Sequence, residues 1–312
     1  MMIKPATDDL GVVLRRDLVA TGVHDNAIAR LVRVGTLVRL RHGVYADARR
    51  WAAASKVDRH RMLSRGVMRL YDGDVALSHV SAALAYGAPD HGLPLDEVHL
   101  TELSRAGERV QAKVRHHRGG CREDEVVLRD GHKITAPART ALDTAALVER
   151  DAAVCVLDWF YQQKLTDPEE LRRELRTRSV WSDHLDLTLK LGYARVGSES
   201  VGESLARLAF LDAGLPEPVL QHEVRDDRGW LIGRVDFAWP EQRLIVEFDG
   251  REKYHSMRRD GESIEEMVLR EKTREDRLRE ATGWTVIRIT WADLHHPGRL
   301  LARLTRYLAP VA

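Results

Sequence analysis

The apolar positions of the N-terminal stretch follow a helical period that changes to short extended runs near residue 37. The first predicted helix spans residues 8–20, and its apolar side carries Leu10, Val13, Leu14 and Leu18. The break at 21–23 contains Gly22, and a second helix follows from His24 or Asp25 to Gly35. Residues 37–45 predict two short strands around a turn at His42-Gly43. Helix, turn, helix and hairpin together predict a winged helix-turn-helix over residues 1–50.

The pattern over residues 51–190 alternates between helices and strands and predicts an α+β and helical middle region. Helices are predicted at 57–71, 78–87, 137–148 and within 151–193, and strands at 97–101, 110–116 and 125–135. His116 and His117 are adjacent on a strand and therefore point to opposite faces. They are predicted to be separate core or surface residues rather than ligands of one metal ion.

Residues 195–312 predict a third region with the element order αβββαβα. The pattern places helices at 198–212, 262–281 and 297–307, and strands at 219–225, 231–239, 243–249 and 285–290. The whole chain is thus predicted to be a multi-domain α/β protein.

Composition fits globular domains, because 44% of the 312 residues are hydrophobic and 31% are charged. No apolar run approaches the roughly 20 residues of a membrane span, and the N-terminus lacks the pattern of a signal peptide. The only two cysteines, Cys121 and Cys155, are far apart and predict neither a disulfide framework nor a zinc cluster. These features predict a cytoplasmic protein without a membrane partner.

Charge is uneven along the chain. The net charge is +1, whereas the first 60 residues hold eleven Lys or Arg and six Asp, a local excess of +5. Such a local excess attracts a phosphate backbone. We predict that double-stranded DNA is a partner and that its phosphates or grooves face Arg30, Arg33, Arg39 and Arg41.

Three carboxylates lie in two predicted neighbouring strands near the C-terminal end. Alternation places Glu247 and Asp249 on one strand face, and the short connection at 240–242 brings Asp236 beside them. Crowded carboxylates repel one another unless a cation separates them, and hard oxygen ligands suit Mg²⁺ or Mn²⁺. The pattern indicates a metal-dependent phosphodiester hydrolase. The alternative is that these residues form the solvent-exposed face of an ordinary hairpin.

The surrounding residues resemble the DUF559 proteins, relatives of very-short-patch-repair endonucleases in the PD-(D/E)xK superfamily. The matching pieces are Arg234–Phe237, Leu244–Gly250, Lys253–His255, Arg274–Leu278 and Gly283–Ile289. The resemblance implies a restriction-endonuclease-like core in which Asp236, Glu247 and Asp249 bind the metal, with Glu203 as a possible further ligand.

One position departs from the superfamily pattern. The resemblance would place a lysine at 249, where this chain has Asp249. A catalytic basic group would then come from Lys253 or His255, which follow the strand directly, or from Lys272.

The N-terminal half resembles AbiEi-type antitoxins. The residues that carry this resemblance are Gly43-Val-Tyr45 and the run Pro137–Asp143. It implies a sequence-specific repressor domain and a cognate nucleotidyltransferase-like toxin as a partner. Two hypotheses follow: an Mg²⁺-dependent DNA endonuclease targeted by its winged helix, and a non-enzymatic regulator or antitoxin that uses a degenerate nuclease fold.

Overall fold

The computed structural model of the chain describes residues 7–71, 75–103, 109–118, 120–177, 184–226, 228–250 and 263–308. The chain folds into two compact units, Met1–Gly192 and Tyr193–Ala312. The first unit contains both the predicted winged helix and the predicted middle region.

The N-terminal part of the first unit is a small three-stranded sheet with two helices. Its elements are β1 (Val12–Leu14), α1 (Arg15–Ala20), α2 (Asp25–Arg33), β2 (Leu37–Arg41) and β3 (Val44–Asp47). The strands pair antiparallel in the order β1-β3-β2. A helix pair followed by a strand hairpin is compatible with a winged helix.

The sequence-based helix over residues 8–20 is wrong for its first half, where the structure has a turn and then β1. The Asp8 carboxylate accepts hydrogen bonds from the backbone N–H groups of Leu10 and Val12. Gly11 adopts a φ of +85°, which glycine tolerates without a steric penalty. The three residues of β1 are almost fully buried and pair with β3, so tertiary burial decides their conformation.

A helix from outside the predicted 1–50 region completes this sheet's core. After the short α3 (Ala48–Ala53), α4 (Lys56–Leu70) packs on the sheet, and Met62 joins the buried cluster of Val12, Leu14, Val44 and Ala46. Gly66 lies so close to Val44 that a Cβ at this position would come within 2.2 Å of Val44 Cγ1.

The rest of the first unit is built on a six-stranded sheet. Its strands are β4 (Val75–Leu77), β5 (Val98–Glu102), β6 (Arg109–Gln111), β7 (Val114–Arg118), β8 (Val126–Arg129) and β9 (His132–Thr135), in the order β6-β7-β5-β4-β9-β8. The predicted strand at 110–116 is split by a turn in which Ala112 and Lys113 both have positive φ. A short 3-10 helix spans Glu123–Glu125.

Five helices accompany this sheet within the described residues. They are α5 (His79–Tyr86), α6 (Pro137–Leu147), α7 (Arg150–Gln162), α8 (Pro168–Arg176) and α9 (His184–Tyr193). Gly87 ends α5 in a left-handed conformation, and Asp167 begins α8 by accepting hydrogen bonds from the N–H groups of Glu169 and Glu170.

The second unit is a mixed sheet between helices. Its elements are α10 (Val201–Asp212), β10 (Val219–Arg225), β11 (Leu231–Trp239), β12 (Leu244–Asp249), α11 (Ile264–Thr282), β13 (Thr285–Thr290), α12 (Trp291–His295) and α13 (Pro297–Leu308). The strand order is β10-β11-β12-β13, with β12 and β13 parallel and the other pairs antiparallel. The predicted elements are present, with the short α12 added.

Each face of this sheet has its own apolar cluster. One cluster includes Phe237, Val246 and Phe248 with residues of α10 and α13. The other includes Ala238, Ile245 and Val286 with Leu278 of α11. Burial on both faces explains why β12 is a nearly continuous apolar run.

No helix among the described residues is long and apolar enough to cross a membrane.

Candidate functional site

The two N-terminal helices are joined at their starts by an ion pair. Arg15 donates from Nε and Nη2 to the two carboxylate oxygens of Asp25, at 2.7 and 2.5 Å. This hydrogen bonding lowers the pKa of the Asp25 carboxyl and raises the pKa of the Arg15 guanidinium. The bidentate pair joins the first residue of α1 to the first residue of α2 at the surface of the module.

The outer side of α2 presents the predicted basic residues. Ile28 is buried against the module, whereas Arg30 and Arg33 are exposed. Residues three apart share one side of a helix, so the two guanidinium groups act on the same surface.

Arg39 lies on the exposed part of β2, in the hairpin. Its Nη2 is 3.1 Å from Nδ1 of the exposed His42 at the hairpin turn. Arg39 therefore adds positive charge to the hairpin that follows α2.

Arg41 lies in a different environment from the one predicted. The pairing of β2 with β3 shifts register between Arg39 and Arg41, and a one-residue shift turns a side chain to the other face of a strand. Arg41 is half-buried; its Nε and Nη1 are enclosed and have no hydrogen-bond partner within the described residues. Its charge contributes to lowering the pKa of His116, after the larger effect of burial.

Two of the three predicted metal-binding carboxylates lie on one face of the second unit's sheet. Alternation along β12 puts Glu247 and Asp249 on the side of Ile245, which packs against Leu278 of α11. The Asp236 carboxylate accepts a hydrogen bond from the backbone N–H of Phe248 at 2.8 Å. Asp236 therefore lies beside β12 at the residue that follows Glu247.

Basic residues lie against this acidic set. Arg274 of α11 donates from Nη2 to Glu247 Oε1 at 2.8 Å, and Arg288 Nε is 4.0 Å from Glu247 Oε2. Arg288 also pairs with Glu275 at 2.8 Å. Because Glu247 is only 8% exposed, the arginines offset the cost of burying its charge.

Glu203 holds the start of α10. Its Oε1 accepts from Ser200 Oγ, and its Oε2 accepts from the Glu199 backbone N–H and from Gln221 Nε2, all between 2.8 and 3.0 Å. These contacts explain why a 1% exposed glutamate is tolerated at this position.

The side chains that could ligate a metal do not come together as a metal-binding group within the described ranges. No set of three His, Cys, Asp or Glu side chains there could hold a metal ion. Lys253 and His255, the predicted basic groups, lie outside the described residues. Lys272 is exposed on α11.

A histidine cluster in the first unit brings together residues that are distant in the sequence. The His79 and His117 rings stack with centroids 3.6 Å apart, and His99 Nδ1 is 2.8 Å from His117 Nε2. His116 points to the other face of β7 and hydrogen-bonds Glu102 and Tyr71, in agreement with the predicted alternation.

Burial keeps this cluster neutral. Desolvation, together with neighbouring positive and histidine charges, lowers the pKa of His99 to about 3 and that of His117 to about 4. Desolvation raises the pKa of the nearby Asp143 to about 6, although Arg139 binds that carboxylate with Nε. His99 Nδ1 and His117 Nε2 face each other at hydrogen-bonding distance, so the cluster is suited to packing rather than to metal binding.

A family model matches the N-terminal module of the chain. Residues 6–46 match the family model described as "Transcriptional regulator, AbiEi antitoxin". This match confirms the predicted resemblance for the N-terminal module and covers α1, α2 and the hairpin.

Two curated proteins align with most of the chain. They are the uncharacterized proteins MT2308 and Rv2248 of Mycobacterium tuberculosis, from strains CDC 1551 and H37Rv. Each is 32% identical over 282 residues, which covers 89% of this chain and 94% of the relative.

Proposed function

The chain belongs to the same family as the two uncharacterized mycobacterial proteins, and we propose that it is a DNA-binding transcriptional regulator of the AbiEi antitoxin type. One observation carries this proposal. The residues that match the regulator model form a helix pair and hairpin whose exposed side bears Arg30, Arg33 and Arg39.

In this proposal α2 enters the major groove of the operator. Arg30 and Arg33 lie where side chains reach base edges or phosphates of the DNA. Arg39 of the hairpin reaches the neighbouring phosphate backbone of the DNA. The Arg15–Asp25 ion pair joins the starts of α1 and α2 and is assigned a positioning role. Phosphate contacts set the orientation, and contacts to base edges supply the sequence preference.

The charge distribution supports the same assignment. The excess of +5 in the first 60 residues occurs in a chain whose net charge is only +1. DNA affinity that depends on this region should fall steeply as the salt concentration is raised, because the DNA releases counterions when basic residues bind its phosphates.

The antitoxin part of the proposal concerns a protein partner. We propose a cognate nucleotidyltransferase-like toxin, whose expression the regulator would repress. Co-expression of this chain with a neighbouring toxin gene should restore growth, and the Arg30→Ala/Arg33→Ala variant should restore it less if repression is the mechanism.

DNA binding is tested with a fragment from upstream of the chain's own gene. Wild-type protein should shift this fragment in preference to a mixed-sequence duplex, and Arg30→Ala/Arg33→Ala should remove the preference. Arg172→Ala, on an exposed position of α8, is the matched control and should bind like wild type. A wild-type protein that binds neither duplex at low salt would refute the proposal.

A metal-dependent endonuclease is the second proposal, supported by Glu247 and Asp249 on one strand face and by the Asp236 carboxylate beside them at Phe248. The described donors do not fit Mg²⁺ or Mn²⁺ as they stand, because Arg274 already pairs with Glu247 and no three-ligand group forms among them. We therefore derive no catalytic step. Plasmid nicking with Mg²⁺ or Mn²⁺ by wild type but not by Asp236→Ala would establish cleavage, and Lys253→Ala would test the substitute base.

A further inference from the structure

The last helix of the second unit has a strongly basic exposed side. The helix α13 contains no acidic residue, and its three arginines are all exposed: Arg299, Arg303 and Arg306. At about 100° per residue, they lie within an arc of about 60°. They form one continuous row, which we call the α13 arginine row.

The opposite side of the same helix is fully used by the unit's own core. Leu300, Leu304 and Leu308 are 4%, 0% and 5% exposed and belong to the apolar cluster with Phe237 and Phe248. A membrane-surface helix needs its apolar side available for insertion. This side is occupied, which favours a polar, anionic partner over a lipid surface.

The row differs from other arginines on this unit. Arg225, Arg234 and Arg279 each form an ion pair with a glutamate of the unit. Within the part of the chain that the structure describes, the members of the α13 arginine row form no ion pair. Three like charges on adjacent turns repel one another, and an external anion relieves that repulsion.

The spacing of the row fits a nucleic-acid backbone. From Arg299 to Arg306 the helix rises about 10 Å, at 1.5 Å per residue. Over about 10 Å of its axis, one strand of B-DNA presents about three phosphates, at 3.4 Å each. One arginine is thus available for each phosphate.

We propose that the α13 arginine row is a second DNA-binding surface that contacts the phosphate backbone without distinguishing sequence. The identification of the anion as duplex DNA rests on the proposed function. The N-terminal module would supply sequence preference, whereas the row would add affinity that is equal for all duplexes and sensitive to salt.

The test compares full-length variants by the slope of log Kd against log salt concentration, on the upstream fragment and on a mixed-sequence duplex. Arg299→Gln/Arg303→Gln/Arg306→Gln should reduce the slope by about 2–3, at about 0.9 per phosphate contact. The reduction should be the same on both duplexes. The corresponding triple Lys variant keeps the charge and should keep the slope; circular dichroism checks that each variant folds.

A second triple variant controls for net charge. Arg172→Gln/Arg173→Gln/Arg176→Gln removes three exposed arginines from α8, where Glu169, Glu170 and Glu174 lie among them. It should leave the slope nearly unchanged. Equal slopes for wild type and the α13 triple Gln variant, or equal losses in the two triple Gln variants, would overturn the proposal.

Two further outcomes are distinguishable. Failure of wild-type protein to bind any duplex would overturn both the regulator proposal and this one, whereas binding that needs Arg30 and Arg33 but not the row would overturn only this one.

Vesicles of phosphatidylcholine and phosphatidylserine test the lipid alternative. Vesicle binding that the α13 triple Gln variant loses while its DNA slope is unchanged would assign the row to a membrane surface instead.

Discussion

Arg69 and Asp17 form an ion pair, with Arg69 Nη2 2.5 Å from Asp17 Oδ2, that joins α4 to the first helix of the N-terminal module. The same guanidinium binds Asp8 at 3.0 Å and the Val12 carbonyl oxygen. The Asp8 carboxylate shapes the turn before β1. Arg69, on α4, therefore contacts that turn, the start of β1 and α1.

Arg69→Ala should therefore destabilise the first unit. Arg69 and its two carboxylate partners are partly buried, so we expect the free energy of unfolding to fall by about 1–2 kcal/mol. Urea denaturation followed by circular dichroism measures the change. Arg176→Ala, an exposed arginine on α8, is the control; equal stability of the two variants would show that the Arg69 contacts contribute nothing.

Gly66→Ala should also destabilise this unit. An added methyl group would meet Val44 Cγ1 at 2.2 Å, and forcing extra volume into a packed core costs about 1–3 kcal/mol. The gain in helix propensity, up to about 1 kcal/mol, offsets only part of that. Gly192→Ala on α9 meets nothing within 4 Å and should have the opposite sign, which thermal denaturation would show as a raised Tm.

The histidine cluster makes the stability of the first unit sensitive to acid. In the folded state burial lowers the pKa of His99 to about 3 and of His117 to about 4, and it lowers the pKa of His79 as well. The unfolded chain therefore binds more protons below the ordinary histidine pKa of about 6.5. The stability from these histidines is complete above about pH 6.5 and is lost as the pH falls towards about 4.

Asp143 opposes part of this effect. Burial raises its pKa to about 6, so its contribution favours the folded state at low pH and is lost as the pH rises through about 6. At roughly 1.4 kcal/mol per pKa unit, we expect a net loss of about 2–3 kcal/mol between about pH 7 and about pH 5.5. Urea midpoints across this range test it. His117→Gln should make the dependence shallower, and an unchanged dependence would argue against the cluster as its cause.

The two hairpin arginines should respond differently to mutation. If Arg39 contacts DNA, Arg39→Ala should weaken duplex binding by about 1 kcal/mol with little change in Tm, since its side chain is exposed. Arg41→Ala should instead change Tm, because the enclosed Nε and Nη1 are removed from the interior. Fluorescence anisotropy and thermal denaturation of both variants provide the comparison. A loss of DNA affinity at unchanged Tm in Arg41→Ala would return Arg41 to the interface.

Local patterns were sufficient for most elements, and long-range contacts account for the differences. Alternation along β12 predicts that Glu247 and Asp249 lie on one strand face. It could not show that Arg274, from a helix 27 residues further on, would pair with Glu247. Similarly, the sequence predicts Arg30 and Arg33 on the second helix, whereas the register shift at Arg41 depends on the pairing of two strands.

The histidine cluster could not be predicted from the sequence for the same reason. His79 begins a helix, while His99 and His117 lie on paired parallel strands, so only the assembled sheet brings them into contact. The interpretation of residues 8–14 as helix relied on a single apolar period. Val12, Val13 and Leu14 satisfy that period and also fit a buried strand, and the pairing with β3 decides between the two.

Met62 and Gly66 bear on where an N-terminal fragment of this chain should be cut. The segment shared with the regulator family ends at residue 46, yet the hydrophobic centre of that segment closes only when α4 supplies Met62. The segment that matches the regulator model is thus shorter than the segment that builds its buried cluster. A DNA-binding fragment cut at the edge of the sequence match would expose Val12 and Val44 to water, whereas one that extends through Leu70 keeps Met62 packed against them.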